Sequence, residues 1–152
     1  MLEDIKKIEP LLKSKFYYNF DMSQKVWFQA GGKTLIYCIV YDEAEFEIIL
    51  NNIGNLDYEV IGAGSNILIR DSGYNGVIFK LGKNFNYIKE NEESLNVGAG
   101  ILDNTLSKFA KKYNIKNYEF FSGIPGSVGG AIKMNAGCYG DETKNILINV
   151  QT

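Results

Sequence analysis

Read for the spacing of its apolar positions, the chain begins with Ile5, Ile8, Leu11 and Leu12 at helical intervals. An amphipathic lead-in is expected over Met1 to Lys15, with Pro10 either kinking it or opening a second helix. From Phe16 to Phe28 the aromatics Phe16, Tyr17, Tyr18, Phe20, Trp27 and Phe28 crowd together, as in extended segments packed into the core on a sheet. Gly31 and Gly32 predict a tight turn, and LIYCIVY behind them a strand from Leu35 to Tyr41. The next stretch, Asp42 to Asn52, is a strong helix signal. Asp42 suits the N-cap, Glu45 stands three residues on, Phe46, Ile49, Leu50 and Ile53 share a face, and Gly54 follows the end. With the apolar run Tyr58 to Ile61 this makes a βαβ unit, the sign of an α/β layer.

Beyond Ile61 a loop of small residues, Gly62, Ala63, Gly64, Ser65 and Asn66, leads into a second strand-like run, Asn66 to Arg70, then the turn DSGYNG and another strand. Leu95 to Val97 predicts a strand ended by Gly98 and Gly100. A helix from Asp103 to Tyr113 should follow, with Leu106, Phe109, Ala110 and Tyr113 inward. Pro125 suits the first turn of a short helix, whose N–H groups at Gly126 and Ser127 would suit an anion or a polar ring edge. The alternation Ile146 to Val150 reads as a strand.

Composition narrows the chemistry. A net charge of −2 supplies no basic field for nucleic acid, and no apolar run approaches the ~20 residues of a membrane span. The N-terminus carries no secretory pattern, and two widely spaced cysteines fit neither a zinc site nor a disulfide framework, so a cytoplasmic location and no metal are expected. With no histidine among these residues, a Ser-His-Asp triad or a His metal ligand has no place here.

Two glycine-rich stretches remain. SGIPGSVGGAIKMNAGCYG, Ser122 to Gly140, holds six glycines among almost no charges, a density that points to a binding surface made of main chain. In the Gly62 to Asn66 loop, successive N–H groups can turn toward one point as a nest for phosphate, with Ser65 and Asn66 adding side-chain donors; a plain glycine turn is the alternative. Familiar phosphate motifs fail on residue identity. Gly31-Gly32-Lys33-Thr34 lacks a glycine at Trp27 and is followed by a strand, GAGSNI has Ile67 where GxGxxG needs glycine, and the Gly98-Ala99-Gly100 run has Asp103 there.

Together, IGAGSNILIRDSGYNGVIFKLG and EFFSGIPGSVGGAIKMNAGCYGDE, preceded by WFQAGG, resemble the FAD-binding portion of the UDP-N-acetylenolpyruvoylglucosamine reductase family, also called UDP-N-acetylmuramate dehydrogenase or MurB. The resemblance runs from about Val26 to Val150. It implies an α+β fold of two small α/β subdomains, of the vanillyl-alcohol-oxidase and p-cresol-methylhydroxylase type, with the flavin between them. By this resemblance residues 1–25 are a helix and extended lead-in, 26–82 the first FAD-binding subdomain and 83–152 the second, lacking the substrate-binding domain.

The resemblance also assigns residues. Gly62, Ala63, Gly64, Ser65, Asn66 and Ile67 would wrap the FAD pyrophosphate. Ser122, Gly123, Ile124 and Pro125 would face the isoalloxazine, and Gly126, Ser127, Gly129, Gly130 and Ala131 would run along ribityl and phosphate. Asn135, Ala136, Gly137 and Tyr139 would continue the same wall. The family reduces its flavin with NADPH and passes hydride to UDP-N-acetylglucosamine enolpyruvate, giving UDP-N-acetylmuramate for peptidoglycan, and so serves cell-wall biogenesis, cell shape and division. Its Arg, Ser and Glu that handle the substrate are expected beyond Thr152; Arg70 is the only arginine here. These residues alone are therefore expected to be inactive, with the UDP-sugar a partner only alongside the missing domain. A non-catalytic FAD-binding or structural module, and another oxidoreductase of the same flavin fold, are the alternatives.

Six positions also carry plain readings. Cys138 stands where the family usually has alanine and reads as a small buried hydrophobe, and Asp71 as a turn former. Glu90, Glu92 and Glu93 suit a solvated hairpin tip. Tyr139 fits either cofactor contact or core packing.

Overall fold

A computed structural model describes residues 2–151. They divide into two compact units, residues 2–85 and 86–151.

The first unit is built on a four-stranded sheet in the order β1-β2-β4-β3, from β1 (Lys15–Asp21), β2 (Lys33–Val40), β3 (Tyr58–Ile61) and β4 (Tyr74–Leu81). β1 runs antiparallel to β2, whereas β2, β4 and β3 are parallel, with Cys38, Phe79 and Val60 in one register row. Helix α2 (Glu43–Leu50) connects β2 to β3 over one face of the sheet. The Asp42 carboxylate caps it by accepting from the Glu45 N–H at 2.9 Å, as the sequence predicts. Ile49 and Ile53 bury against Ile36, Cys38, Val40, Val77 and Phe79, joined by Ile5 of α1 (Leu2–Ile8), and Phe46 and Leu50 pack at the margin. Pro10 opens a separate single 3-10 turn, Glu9–Leu11. The lead-in is tied down by Glu45, whose carboxylate accepts from the Lys13 N–H, the Ser14 N–H and the Ser14 hydroxyl.

The other face of this sheet carries Met22, Tyr37, Ile61 and Ile78, with Phe20, Ile39, Ile67 and Ile69 at the margin. The strand expected over Asn66 to Arg70 is absent: these residues form no ladder. Because β3 and β4 are parallel neighbours, the chain must return to the start of the sheet before β4, and 62–73 supply that crossover. The alternation is real, since Ile67 and Ile69 pack inward while Leu68 is 74% exposed, but it marks an extended segment lying on the sheet. Trp27 and Phe28 also depart from expectation. They lie outside β1 at 62% and 74% exposure, whereas Phe16, Tyr18 and Phe20 of the strand are half-buried.

The second unit has its own core of Ile101, Leu106, Phe120, Phe121, Val128 and Ala131. β5 (Ile88–Glu90) and β6 (Leu95–Val97) form an antiparallel hairpin with the expected exposed acidic tip. Helix α3 (Asp103–Lys112) buries Asp103, Leu106, Ser107 and Ala110. Tyr113, expected inward, is half exposed and lies against Phe109 with ring centroids 4.6 Å apart. Helix α4 (Val128–Met134) is followed by a two-residue hairpin, β7 (Gly137–Cys138) and β8 (Asp141–Glu142). Residues 146–150 are not a strand: 143–145 form a 3-10 turn, and no neighbour pairs with the apolar run behind it.

Candidate functional site

At the carboxyl end of β3 the chain enters Gly62-Ala63-Gly64-Ser65-Asn66, where Gly64 has φ 76°. A Cβ there would overlap the Lys25 carbonyl oxygen, so the position requires glycine twice over. The loop is pinned by its carbonyls. The Trp27 N–H donates to Gly64 O at 2.9 Å, and the Lys80 ammonium donates to Gly62 O. Among the described residues the N–H groups of Gly62, Ala63, Gly64, Ser65 and Asn66 donate to nothing in the chain. Free consecutive donors around a left-handed glycine are what an anion-binding nest requires. Ile67 differs from its neighbours: its side chain packs into the core beneath.

Lys80 was missed in the sequence. It is half-buried, and burial, followed by the nearby charge of Lys25, lowers its pKa below the usual lysine value. The signal that could have exposed it is a charge near the end of an otherwise apolar run, VIFKL, in a parallel strand.

In the second unit the glycines answer a different need. A Cβ on Gly123 would sit 2.5 Å from Cys138 Sγ and 2.9 Å from the Tyr139 ring, and one on Gly126 would sit 2.6 Å from Asp103 Oδ2. At Gly129 it would meet Ala99 at 3.0 Å, and at Gly137 the Asp141 carbonyl at 2.6 Å. Of the six glycines, only Gly130 and Gly140 have room for a side chain without tight contact. Glycine density here largely serves close approach of the chain to itself, a need the sequence reading of a main-chain binding surface did not include.

The expected anion site at Gly126 and Ser127 is also corrected. Helix α4 starts later, at Val128, with Ser127 as its N-cap accepting from the Gly130 N–H at 3.4 Å. The Gly126 N–H is spent on Ile124 O across Pro125, and those of Val128 and Gly129 go to Ile101 and Ala99 carbonyls at 2.8 and 2.9 Å. Among the described residues, only the Ser127 N–H in this group has no acceptor. Ser122, Gly123 and Ile124 close the preceding 3-10 turn, where the Ser122 hydroxyl donates to Glu119 O, and Ala131 lies on the buried face of α4.

Asn135 ends α4 in the left-handed region at φ 44°. Its side chain bonds Glu142 and the Lys144 N–H, a cap that leaves its amide occupied. Ala136 O accepts from the Thr143 N–H and hydroxyl. Tyr139 and Gly140 form the hairpin turn with φ 57° and 92°, the backbone that a two-residue hairpin needs. The turn puts the Tyr139 ring beside Gly123 at 80% exposure, which removes core packing as its role. Cys138 is half-buried against the core.

Behind this segment Asp103 is fully buried, and neither carboxylate oxygen has a hydrogen-bond partner among the described residues. Burial pushes its pKa up to about 7. Nothing in the sequence distinguished it from an ordinary residue of a helix first turn.

With the geometry in place, relatives bear on its meaning. Residues 36–152 match the FAD binding domain family. The chain belongs to that family. As an FAD binding domain it has relatives named UDP-N-acetylenolpyruvoylglucosamine reductase: that of Orientia tsutsugamushi (strain Boryong) is 40% identical over 147 residues, 93% of this chain and 48% of the relative. That of Rickettsia typhi is 37% identical over 145 residues, covering 95% and 49%. The crystal structure of the UDP-N-acetylenolpyruvylglucosamine reductase (MurB) from Thermus caldophilus superposes with a TM-score of 0.68 at 28% identity, over 86% of this chain and 45% of that one. The chain spans about half the length of the curated relatives it matches. The mixed helix and sheet architecture of both units is that of an FAD binding domain. No helix among the described residues is long and apolar enough to cross a membrane.

Proposed function

We propose that this chain is the FAD-holding part of an NADPH-using flavoenzyme that reduces UDP-N-acetylglucosamine enolpyruvate to UDP-N-acetylmuramate, acting in the cytoplasm in the supply of peptidoglycan and thereby in cell shape and division. The observation that carries the reading is the row of five free N–H groups in the Gly62 to Asn66 loop of an FAD binding domain. A diphosphate leaving water needs several fixed donors, and main-chain N–H groups supply them without ordering long side chains.

In this reading residues 1–25 are the lead-in, 26–82 the first FAD-binding subdomain and 83–152 the second. Gly62, Ala63, Gly64, Ser65, Asn66 and Ile67 hold the pyrophosphate. Ser122, Gly123, Ile124 and Pro125 face the isoalloxazine; Gly126, Ser127, Gly129, Gly130 and Ala131 follow ribityl and phosphate; Asn135, Ala136, Gly137 and Tyr139 extend the wall. Since most N–H groups of 126–131 are occupied, that wall acts mainly through shape and close contact, with Ser127 the exception. When bound, FAD supplies hydride transfer; the chain's residues bind and orient it. The residues that handle the UDP-sugar belong to the part of the relatives that this chain does not span.

The test is spectroscopic. The purified chain should carry, or take up from added FAD, a flavin absorption band that is released on denaturation. Its melting temperature should rise with FAD, since ligand at about 100 times its dissociation constant adds roughly 2.7 kcal/mol. A colourless chain that gains no stability from FAD would rule the reading out.

A further inference from the structure

The interior of a parallel sheet is a poor place for an ammonium. Lys80 stands there, in register with Ile39 of β2 and Ile61 of β3, on the face that carries Ile78, Tyr37 and Ile61. Burial of a lysine with no carboxylate beside it disfavours the charge, so such a residue is normally paired. The ion pairs found among the described residues are Lys7 with Asp4 and Lys144 with Glu142; Lys80 is in neither. Of its three ammonium donors, one goes to Gly62 O and no other bond is made within the described residues.

That one bond orients the loop. In a trans peptide the C=O and the following N–H point in opposite directions. Drawing the Gly62 carbonyl onto Lys80 therefore turns the Ala63 N–H away from the sheet. The bond from Trp27 N–H to Gly64 O likewise turns the N–H of Ser65 away from Trp27. The positive charge of Lys80 consequently lies behind the Ala63 N–H, in a loop whose donors have no acceptor among the described residues. Lys25 adds a second cation to this face: its Nζ lies 5.8 Å from the Phe20 ring centroid and 5.9 Å from that of Tyr37. It is close enough to depress the Lys80 pKa further. Two cations that repel each other beside free N–H donors are a site short of an anion.

We propose that Lys80 is the positioning residue of a diphosphate subsite: it holds the Gly62 carbonyl so that the loop N–H groups face the ligand and, with Lys25, supplies the positive field that the diphosphate bridge of a dinucleotide neutralises. The proposal rests on the FAD reading for the dinucleotide, but not for the diphosphate.

Isothermal titration of FAD, riboflavin and inorganic pyrophosphate into the wild-type chain, K80M, K80R and K25M separates the two. FAD affinity should fall about tenfold or more in K80M, as expected for losing a charge-assisted contact. It should partly recover in K80R and fall less in K25M with a shallower salt dependence, while riboflavin, which has no phosphate, binds all four alike. In case K80M folds poorly, the Lys80 side-chain carbon resonances of the wild type report directly: pyrophosphate or FAD should raise its depressed pKa toward the ordinary lysine value. Unchanged FAD affinity in folded K80M, or a Lys80 titration indifferent to both ligands, overturns the proposal while leaving the flavin reading intact. Wild-type binding of pyrophosphate without FAD supports the subsite and removes the flavin.

Discussion

Replacing Asp103 by asparagine should stabilise the chain at pH 8 and leave its stability at pH 4 nearly unchanged. Asp103 is 0% exposed, both carboxylate oxygens lack partners, and burial raises its pKa from the ordinary 3.8 to about 7. A carboxyl whose folded pKa lies above the unfolded one holds its proton longer when folded. Stability is then unaffected below the unfolded value, falls as pH climbs between 3.8 and about 7, and stays low above that. At about 1.4 kcal/mol per pH unit, this window of roughly three units amounts to about 4 kcal/mol. Its position in the first turn of α3 works the other way, but a helix terminus contributes only ~0.3–1 kcal/mol, up to about 2, so burial dominates. Asparagine keeps the shape and is neutral throughout, and the cost of burying a neutral polar group without partners is common to it and to protonated Asp103. The difference between variant and wild type should therefore grow from near zero at pH 4 to about 4 kcal/mol at pH 8, or roughly 10 °C in melting temperature for a chain of this size. Urea or thermal melts of both proteins at pH 4, 6 and 8 measure it. A variant less stable than wild type at pH 8, or an increment independent of pH, would refute the reasoning.

Other outcomes follow from the same geometry. Gly64→Ala combines a positive φ with overlap on Lys25 O. It should cost about 1–3 kcal/mol and weaken FAD more than riboflavin, read by melting and titration. For Glu45, burial opposes the charge, but the Ser14 hydroxyl and the Lys13 and Ser14 N–H groups outweigh it and lower the pKa. Its contribution is thus present above the ordinary carboxylate range and lost as pH falls through the folded value; in Glu45→Gln the acid limb of a stability–pH profile should flatten. Lastly, a steady-state assay of these 152 residues with NADPH should show no oxidation dependent on the enolpyruvyl substrate, because Arg70, the sole arginine of the sequence, lies in the 62–73 crossover of the first unit. Substrate-dependent oxidation would overturn that expectation.

Local chemistry was legible where it acts locally. Asp42 announced its helix because a capping carboxylate and an apolar face are both written within one turn or two of chain, and the acidic hairpin tip was as clear. The order β1-β2-β4-β3 was not, because the placing of β4 between β2 and β3 is decided by pairing across more than thirty residues. Its consequence misled the reading of Asn66 to Arg70. Two-residue alternation reports one wet and one dry side, and an extended crossover lying on a sheet has both without any hydrogen-bonded neighbour. For Ile146 to Val150 the same period occurs with Ile148 three-quarters exposed and no partner strand.

For the candidate site, glycine count was the weaker guide and the fate of the N–H groups the stronger. The two glycine-rich stretches look alike in sequence, yet in one the donors are free and in the other most are spent. The reason is physical: glycine removes a side chain, and what fills the space is either a ligand or the chain itself. At Gly123, Gly126, Gly129 and Gly137 it is the chain, through Cys138, Asp103, Ala99 and Asp141. Such partners are distant in sequence by up to thirty residues, so no motif could have distinguished the cases. At Gly62 to Asn66, close packing of Gly64 on the Lys25 carbonyl and unpaired donors occur together, and Lys80 holds the Gly62 carbonyl with a charge that has no counter-ion among the described residues. On the proposal that this loop binds a diphosphate, the side chain that orients it stands eighteen residues from the carbonyl it holds.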